Sequence, residues 1–227
     1  TSELYELASR LDQLKRPVII YIGGAPGTGK SMLATSLATR LGINKVISTD
    51  SIREIMRLAF SNDLLPTLFH STTEAWKGLP MEFQSSEQLI AGYCLQANQV
   101  SLGVRAVVER TVEEGENLIV EGAHLVPFLH EIAKKEMVDA YHIPISLSIM
   151  NEKHHRERFS ERGTKNLRKI ENFYLERFDG IRSIHEYTLT QCETDEVEVF
   201  DNEDLDETLN LIIQFSIQRL FKQVNSE

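Results

Sequence analysis

The run Gly23-Gly24-Ala25-Pro26-Gly27-Thr28-Gly29-Lys30-Ser31 contains the spacing G-x-x-x-x-G-K-[ST] without a gap. Residues of these types in this order can hold a chain of phosphates. Glycines let the backbone curl until several N–H groups point at one anion, a lysine reaches the β- and γ-phosphates, and a hydroxyl ligates Mg²⁺. Lys30 and Ser31 stand in those last two places. Gly24, Ala25, Pro26, Gly27, Thr28, Gly29 and Met32 supply the surrounding backbone. The flanks suit the chemistry. Pro17-Val18-Ile19-Ile20-Tyr21-Ile22 is an apolar, β-branched run that reads as a buried strand. Met32, Leu33, Leu37, Ala38 and Leu41 then recur at helical spacing until Gly42. Strand, glycine loop and helix N-terminus predict a nucleoside triphosphate site.

A second group follows one strand later, in Ser48-Thr49-Asp50-Ser51-Ile52-Arg53. Ligands of a parallel sheet bind beyond the carboxyl ends of its strands. On a helix starting there, Asp50, Arg53 and Arg57 share one face, and Ile52, Ile55, Met56 and Ala59 form the opposite, buried one. A carboxylate beside arginines suits phosphoryl transfer to a hydroxyl. Asp50 would take or orient the hydroxyl proton and could reach Mg²⁺, directly or through water, while Arg53 would hold an anionic group. The alternative is an N-cap aspartate with an i,i+3 ion pair.

Glu121 ends an apolar strand, where an acid can serve Mg²⁺ or its water shell, and Gly122-Ala123-His124 after it implies close approach to a ligand. Arg110 is a further cation for an anionic acceptor. Trp76 lies in a polar and aromatic loop where an acceptor could bind. Between Lys153 and Lys169 the basic residues Arg156, Arg158, Arg162, Lys165 and Arg168 outweigh the acids Glu157 and Glu161. His155, Arg158 and Arg162 fall on one helical face, as a lid closing over a triphosphate would require. The adjacent His154 and His155 lack further ligands at zinc spacing.

The elements that must position these groups alternate. A helix is expected over Ser2–Lys15, with Leu4, Leu7, Leu11 and Leu14 on one face. A second strand covers residues 45–48, and a helix capped by Ser48 or Thr49 follows. Loops with one short helix fill Ser61–Ser86. A long helix runs from Glu87 to Glu114, burying Tyr93, Ala97, Val100, Val104 and Val107, with Gly115 as its C-cap. Strands follow at 118–121, 141–149 and 196–200. Helices are expected at 151–162 and 169–191, and a final one uses Leu205, Leu209, Ile212, Ile213 and Ile217. Strands separated by helices imply parallel pairing with right-handed crossovers, hence an α/β three-layer sandwich.

At 227 residues this is one domain (residues 1–227), with an acceptor-binding insertion at about 51–115 and a lid at about 151–168. No apolar stretch has the length of a membrane span, and no signal peptide opens the chain. Two cysteines far apart make no disulfide framework, so a reducing cytoplasm is the expected compartment. A net charge of -10 argues against broad nucleic-acid binding.

Several strings together resemble the 2-phosphoglycerate kinase family of phosphate-loop kinases. They are the glycine loop, Ser-Thr-Asp-Ser-Ile-Arg with Glu54 to Arg57, Glu74-Ala75-Trp76, Val108-Glu109-Arg110, Glu121-Gly122-Ala123-His124-Leu125-Val126-Pro127, and Arg156-Glu157-Arg158-Phe159 through Arg162. The likeness runs from Pro17 to Asn202. It implies a five-stranded sheet in the order 2-3-1-4-5 with helices on both faces. It also implies ATP- and Mg²⁺-dependent phosphorylation of a small anionic hydroxy acid such as 2-phosphoglycerate. By the same likeness Lys30 and Ser31 bind nucleotide and Mg²⁺, joined by Arg158 and Asn202. Asp50 and Arg53 face the acceptor, accompanied by Arg57, Trp76, Arg110, Glu121 and His124, and Arg158 and Arg162 belong to the lid. Some archaeal members carry an extra N-terminal regulatory domain, for which this chain is expected to have no room. A homodimer is one option for its assembly. Two other readings compete: a polynucleotide or tRNA-end kinase, since Asp-x-Ile-Arg after the second strand is similar there too, and a nucleotide-driven switch with no acceptor.

Overall fold

The computed structural model describes residues 11, 14–80, 85–129, 131, 139–160 and 168–225. Strand β1 (Val18–Gly23) leads through the glycine loop into α1 (Lys30–Leu41), then β2 (Lys45–Ser48) and α2 (Thr49–Ala59). Two 3₁₀ turns, Pro66–Phe69 and Thr72–Gly78, precede the long α3 (Ser85–Glu113). They are followed by β3 (Leu118–Glu121), a 3₁₀ segment (Ala123–Phe128) and β4 (Tyr141–Ser148). The chain continues through α4 (Glu152–Ser160), α5 (Arg168–Glu176), α6 (Phe178–Thr194), β5 (Glu198–Asp201) and α7 (Leu205–Val224).

All five strands are parallel, in the order β2-β3-β1-β4-β5, as expected. The period of two along β1 divides the core. Val18, Ile20 and Ile22 join Leu33 and Leu37 of α1 and Leu209, Ile212 and Ile213 of α7 on one face. Ile19 and Tyr21 join Val100, Val104 and Val108 of α3 on the other. A strand covered on both faces can be apolar throughout, and β1 and β3 are buried along their whole length. Each fully buried aliphatic side chain contributes roughly 1.5–3 kcal/mol.

Several expected boundaries and faces move. Of the helix expected over Ser2–Lys15 the described residues are Leu11, which is buried, and Leu14 and Lys15, which form a bend rather than helix, with Leu14 packed on the same core as Leu11. Among its described residues the Ser61–Ser86 stretch holds two 3₁₀ turns rather than one short helix. β5 begins at Glu198 rather than 196, because Glu196 takes a left-handed turn (φ 54°) after α6. On α2 only Ile52 of the expected apolar face is fully buried, and Ile55 is 68% exposed. Met32 also points to solvent. On α3 the buried stripe ends on Val108, with Val107 only half-buried.

The helix expected over 169–191 is two helices. At Arg177 the backbone leaves helical geometry (φ -109°, ψ 13°). Its guanidinium stacks 3.8 Å from the Phe173 ring centroid and donates to the Phe173 carbonyl at 3.0 Å, sealing the end of α5. Arg177 also pairs at 3.1 Å with Glu74 of the second 3₁₀ turn. Burial opposes ionisation of Glu74, yet hydrogen bonds from Arg177 and Lys77 hold its pKa down at about 2.

The second 3₁₀ turn lies directly on α3, and Gly92 makes that approach possible. A Cβ at Gly92 would overlap the backbone of Trp76 and Ala75. In an open helix Gly→Ala stabilises by about 1 kcal/mol. Here Gly92→Ala should instead destabilise by about 1–3 kcal/mol through overpacking. Urea unfolding checks this, a higher midpoint being the result that contradicts the contact.

Candidate active site

Strand register assembles the site. Glu121, the last residue of β3, lies beside Ile22 of β1 and Ser48 of β2. One carboxylate therefore stands between the glycine loop and the start of α2. Ser31 Oγ donates to Glu121 Oε1 at 2.9 Å. Burial raises the Glu121 pKa above the ordinary carboxylate value, while Lys30 and the Ser31 hydroxyl pull it the other way. Lys30 is itself buried, and its Nζ donates to the Ala25 carbonyl at 2.7 Å.

The loop takes positive φ at Gly24 (134°), Gly27 (86°) and Gly29 (88°), a conformation that costs L-residues and that glycine adopts freely. Space confirms the need. A Cβ would strike the Leu147 carbonyl at Gly24, the Phe159 ring at Gly27, and Asn202 Nδ2 at Gly29. Asn202 Nδ2 donates to the Thr28 carbonyl at 2.8 Å. Arg158 donates to the main-chain carbonyls of Asn202 and, at 3.2 Å, of Glu203. Arg158 and Asn202 thus meet beside Gly29 of the loop.

His155 does something else. It is fully buried rather than displayed on a basic face. Its Nε2 lies 2.8 Å from the Pro26 carbonyl, which can only accept, and Arg182 Nη1 lies 3.4 Å from its Nδ1. Those partners fix a neutral ring with the proton on Nε2. Burial lowers its pKa to about 4; the Pro26 carbonyl opposes that shift and the Arg182 charge adds to it. The root of α4 is thereby pinned to the loop.

Opposite the loop, Asp50 and Arg53 line the same cleft, together with Lys30, Ser31 and Glu121. Arg53 Nη1 donates to the carbonyls of Leu68 (3.3 Å) and His70, and Nη2 pairs with Glu54 at 2.8 Å. Ser71, Thr72 and Thr73 complete that side of the cleft, with Phe159, Phe173 and Tyr174 as an aromatic wall.

The cleft leaves out other expected residues. Arg57 pairs with Glu54 on the surface. Arg110 belongs to the opposite end of the sheet, in a groove with Asn44 and Lys45, and pairs with Glu114 at 2.8 Å. Trp76 is one turn too far along, packed on α3 beneath Lys77. His124 is buried behind the cleft, both ring nitrogens engaged, so it cannot touch an acceptor. Met32 contributes no side chain to the cleft lining. Arg162 lies outside the described residues. The polar loop around Trp76 does reach the cleft, through Ser71–Thr73 rather than through Trp76 itself, while sequence reasoning missed Phe173 and Tyr174, which no spacing in the chain singles out.

Five parallel strands in this order, with a glycine loop after the first and an acid opening the helix after the second, define a phosphate-loop kinase. A family model described as an AAA domain matches residues 20–179. Among solved structures, shikimate kinase from Acinetobacter baumannii in complex with shikimate aligns with TM-score 0.53 at 12% identity, covering 93% of this chain and 97% of that one. A gluconokinase from Sinorhizobium meliloti gives 0.52 at 13%, covering 92% and 99%. These likenesses show the fold. Among curated relatives, the 2-phosphoglycerate kinase of Methanopyrus kandleri is 38% identical over 224 residues, 97% of this chain and 67% of its own. That of Pyrococcus furiosus is 40% identical over 206 residues, 90% of this chain and 66% of its own. The chain belongs to the 2-phosphoglycerate kinase family and spans about two thirds of the length of these relatives.

Three buried histidines, His124, His155 and His185, have pKa values pushed by burial from 6.5 to about 4. Between those values the unfolded chain binds protons that the folded one refuses, so stability falls as pH drops from 6.5 towards 4. Chemical denaturation at a series of pH values should show this loss, and His155→Gln should make it shallower. A stability flat across that window would contradict the neutral, buried rings.

Proposed function

We propose that the protein transfers the γ-phosphate of ATP to a hydroxyl of a small phosphorylated hydroxy acid, with 2-phosphoglycerate as its acceptor. The observation that carries this reading is the shared cleft. The glycine loop with Lys30 and Ser31 forms one wall, and Asp50 and Arg53 stand on the other, with Glu121 between. The relatives named above support the same acceptor.

In this reading the bare backbone of Gly24 to Gly29 receives the phosphate chain, and Lys30 turns from the Ala25 carbonyl to the β- and γ-phosphates. Asp50 accepts the acceptor's hydroxyl proton as its oxygen attacks the γ-phosphorus and the bond to the ADP oxygen breaks. Arg53 holds the acceptor's own phosphate or carboxylate. Arg158 and Arg162, in a lid at about 151–168, neutralise charge on the transferring group, and Asn202 steadies the loop. The insertion at about 51–115 carries the acceptor residues.

The donor set fits Mg²⁺, since a hydroxyl and a carboxylate already share a hydrogen bond at the loop. Ser31 would ligate it, with Glu121 and Asp50 holding its water shell. When bound, the ion supplies charge neutralisation across the β- and γ-phosphates.

Purified protein given Mg-ATP with 2-phosphoglycerate, 3-phosphoglycerate, inositol phosphates or 5′-hydroxyl oligonucleotides tests the reading by acceptor-dependent ADP release. Turnover with 2-phosphoglycerate is expected, and turnover with oligonucleotides alone would overturn it. Asp50→Asn should lower kcat by about 10²–10⁴-fold with ATP binding nearly intact. Lys30→Ala should impair nucleotide use with every acceptor.

A further inference from the structure

Behind the acceptor wall runs a buried chain of polar groups that touches neither substrate. Thr49 Oγ1 lies 2.9 Å from His124 Nδ1, and His124 Nε2 lies 3.1 Å from Gln96 Oε1. Gln96 Nε2 in turn donates to the Thr67 carbonyl and, at 3.0 Å, to the His70 carbonyl. All three side chains are buried.

The direction of every bond follows from the far end. Main-chain carbonyls only accept, so the two short contacts from Gln96 identify its NH₂ group, and its oxygen must face His124. That oxygen accepts, so His124 carries its proton on Nε2. A neutral ring then presents a bare Nδ1, and Thr49 must donate to it. Burial keeps the ring neutral, its pKa pushed down to about 4, with Arg53 and Lys30 opposing protonation and Asp50, 3.9 Å from Nδ1, favouring it. The chain therefore reads in one sense, from hydroxyl to imidazole to amide to carbonyls.

Its two ends are the two halves of the acceptor site. Thr49 immediately precedes Asp50 in the first turn of α2. The His70 carbonyl is the group on which Arg53 also rests, and Ser71 to Thr73 follow it into the cleft. The bare Gly122 makes the junction possible, since a Cβ there would overlap Thr49 Oγ1. Buried, fully paired networks of this kind specify one geometry, because any unpaired member costs about 1–3 kcal/mol.

We infer that Thr49, His124 and Gln96 form a positioning relay that sets the acceptor loop, and with it Arg53, at a fixed distance from Asp50. Its effect falls on acceptor recognition and not on the nucleotide, which is held by the loop and α4. The inference rests on Asp50 and Arg53 facing the acceptor as proposed above.

Gln96→Glu keeps an oxygen for His124 and leaves at most one donor, when protonated, for the two carbonyls. The KM for 2-phosphoglycerate should rise tenfold or more, while the KM for ATP stays within about twofold. Thr49→Val, which keeps the shape and loses the hydroxyl, should act in the same direction, and Thr49→Ser should restore the wild-type KM. Equal changes in both KM values, or an unchanged acceptor KM in folded Gln96→Glu and Thr49→Val, would overturn the relay. Nitrogen-15 histidine NMR of the protein without ligands gives an independent reading. His124 should appear as the neutral Nε2–H tautomer at pH 7, and an Nδ1–H tautomer or an imidazolium would overturn the relay as well. Because the NMR needs no acceptor, an enzyme that ignores 2-phosphoglycerate would count against the proposed substrate and leave the relay to be judged by its tautomer.

Discussion

The cleft depends on three places where the backbone carries no side chain. At Gly24, Gly27 and Gly29 the loop lies against the end of β4, the root of α4 and the residue after β5, each too close for a Cβ. The loop is clasped from three sides by elements distant in sequence, so its N–H groups are held in place before a phosphate arrives. Electrostatic stabilisation of a transferring group depends on such preorganisation, since donors that must first reorganise give back much of what they gain. The clasp also joins parts with different tasks. Phe159 and His155, both on α4, lie against the same glycine. Movement of that helix therefore moves the floor of the nucleotide site.

A second constraint is the register of the sheet. Parallel pairing puts Glu121 beside both Ile22 and Ser48, and from there one carboxylate reaches the Ser31 hydroxyl. A slip of one residue would turn Glu121 to the opposite face and remove it from the cleft. The apolar alternation of β1 between two cores guards against that slip. Core packing and site geometry are thus one requirement. The hydrophobic faces that stabilise the sheet also aim the acid that ends β3.

Much of this was legible in the chain, for reasons that differ by region. The glycine loop, β1, α1 and the Ser48 cap are local features whose spacing carries their geometry, and the structure places them where expected. Glu121 was legible because a charged residue closing an apolar strand must lie at the sheet's rim. His124, Trp76 and Arg110 misled for the opposite reason. Each is chemically capable, and only tertiary packing decides that the first faces inward, the second rests on α3 and the third stands at the wrong end of the sheet. The break at Arg177 was hidden because helical periodicity continues across it, while the residue at the break pairs with Glu74, over a hundred residues away. Leu-x-x-Leu patterns report faces; they do not report what a side chain caps.

Arg53 shows how the remaining parts fit together. Its guanidinium rests on two main-chain carbonyls, which orient it without cancelling its charge, and on Glu54, which is half exposed and shared with Arg57. Had a buried carboxylate held it instead, the pair would be neutral and of little use to an anion. Carbonyl support is weaker per contact, however, and carbonyls move with their loop. A cation held this way needs the loop fixed from behind by groups that also bring no charge. The neutral imidazole of His124 and the amide of Gln96 meet that condition, and a lysine or a glutamate in either place would not. In a chain with a net charge of -10, the carbonyls beneath Arg53 and the amide and imidazole behind them add no further negative charge to that side of the cleft.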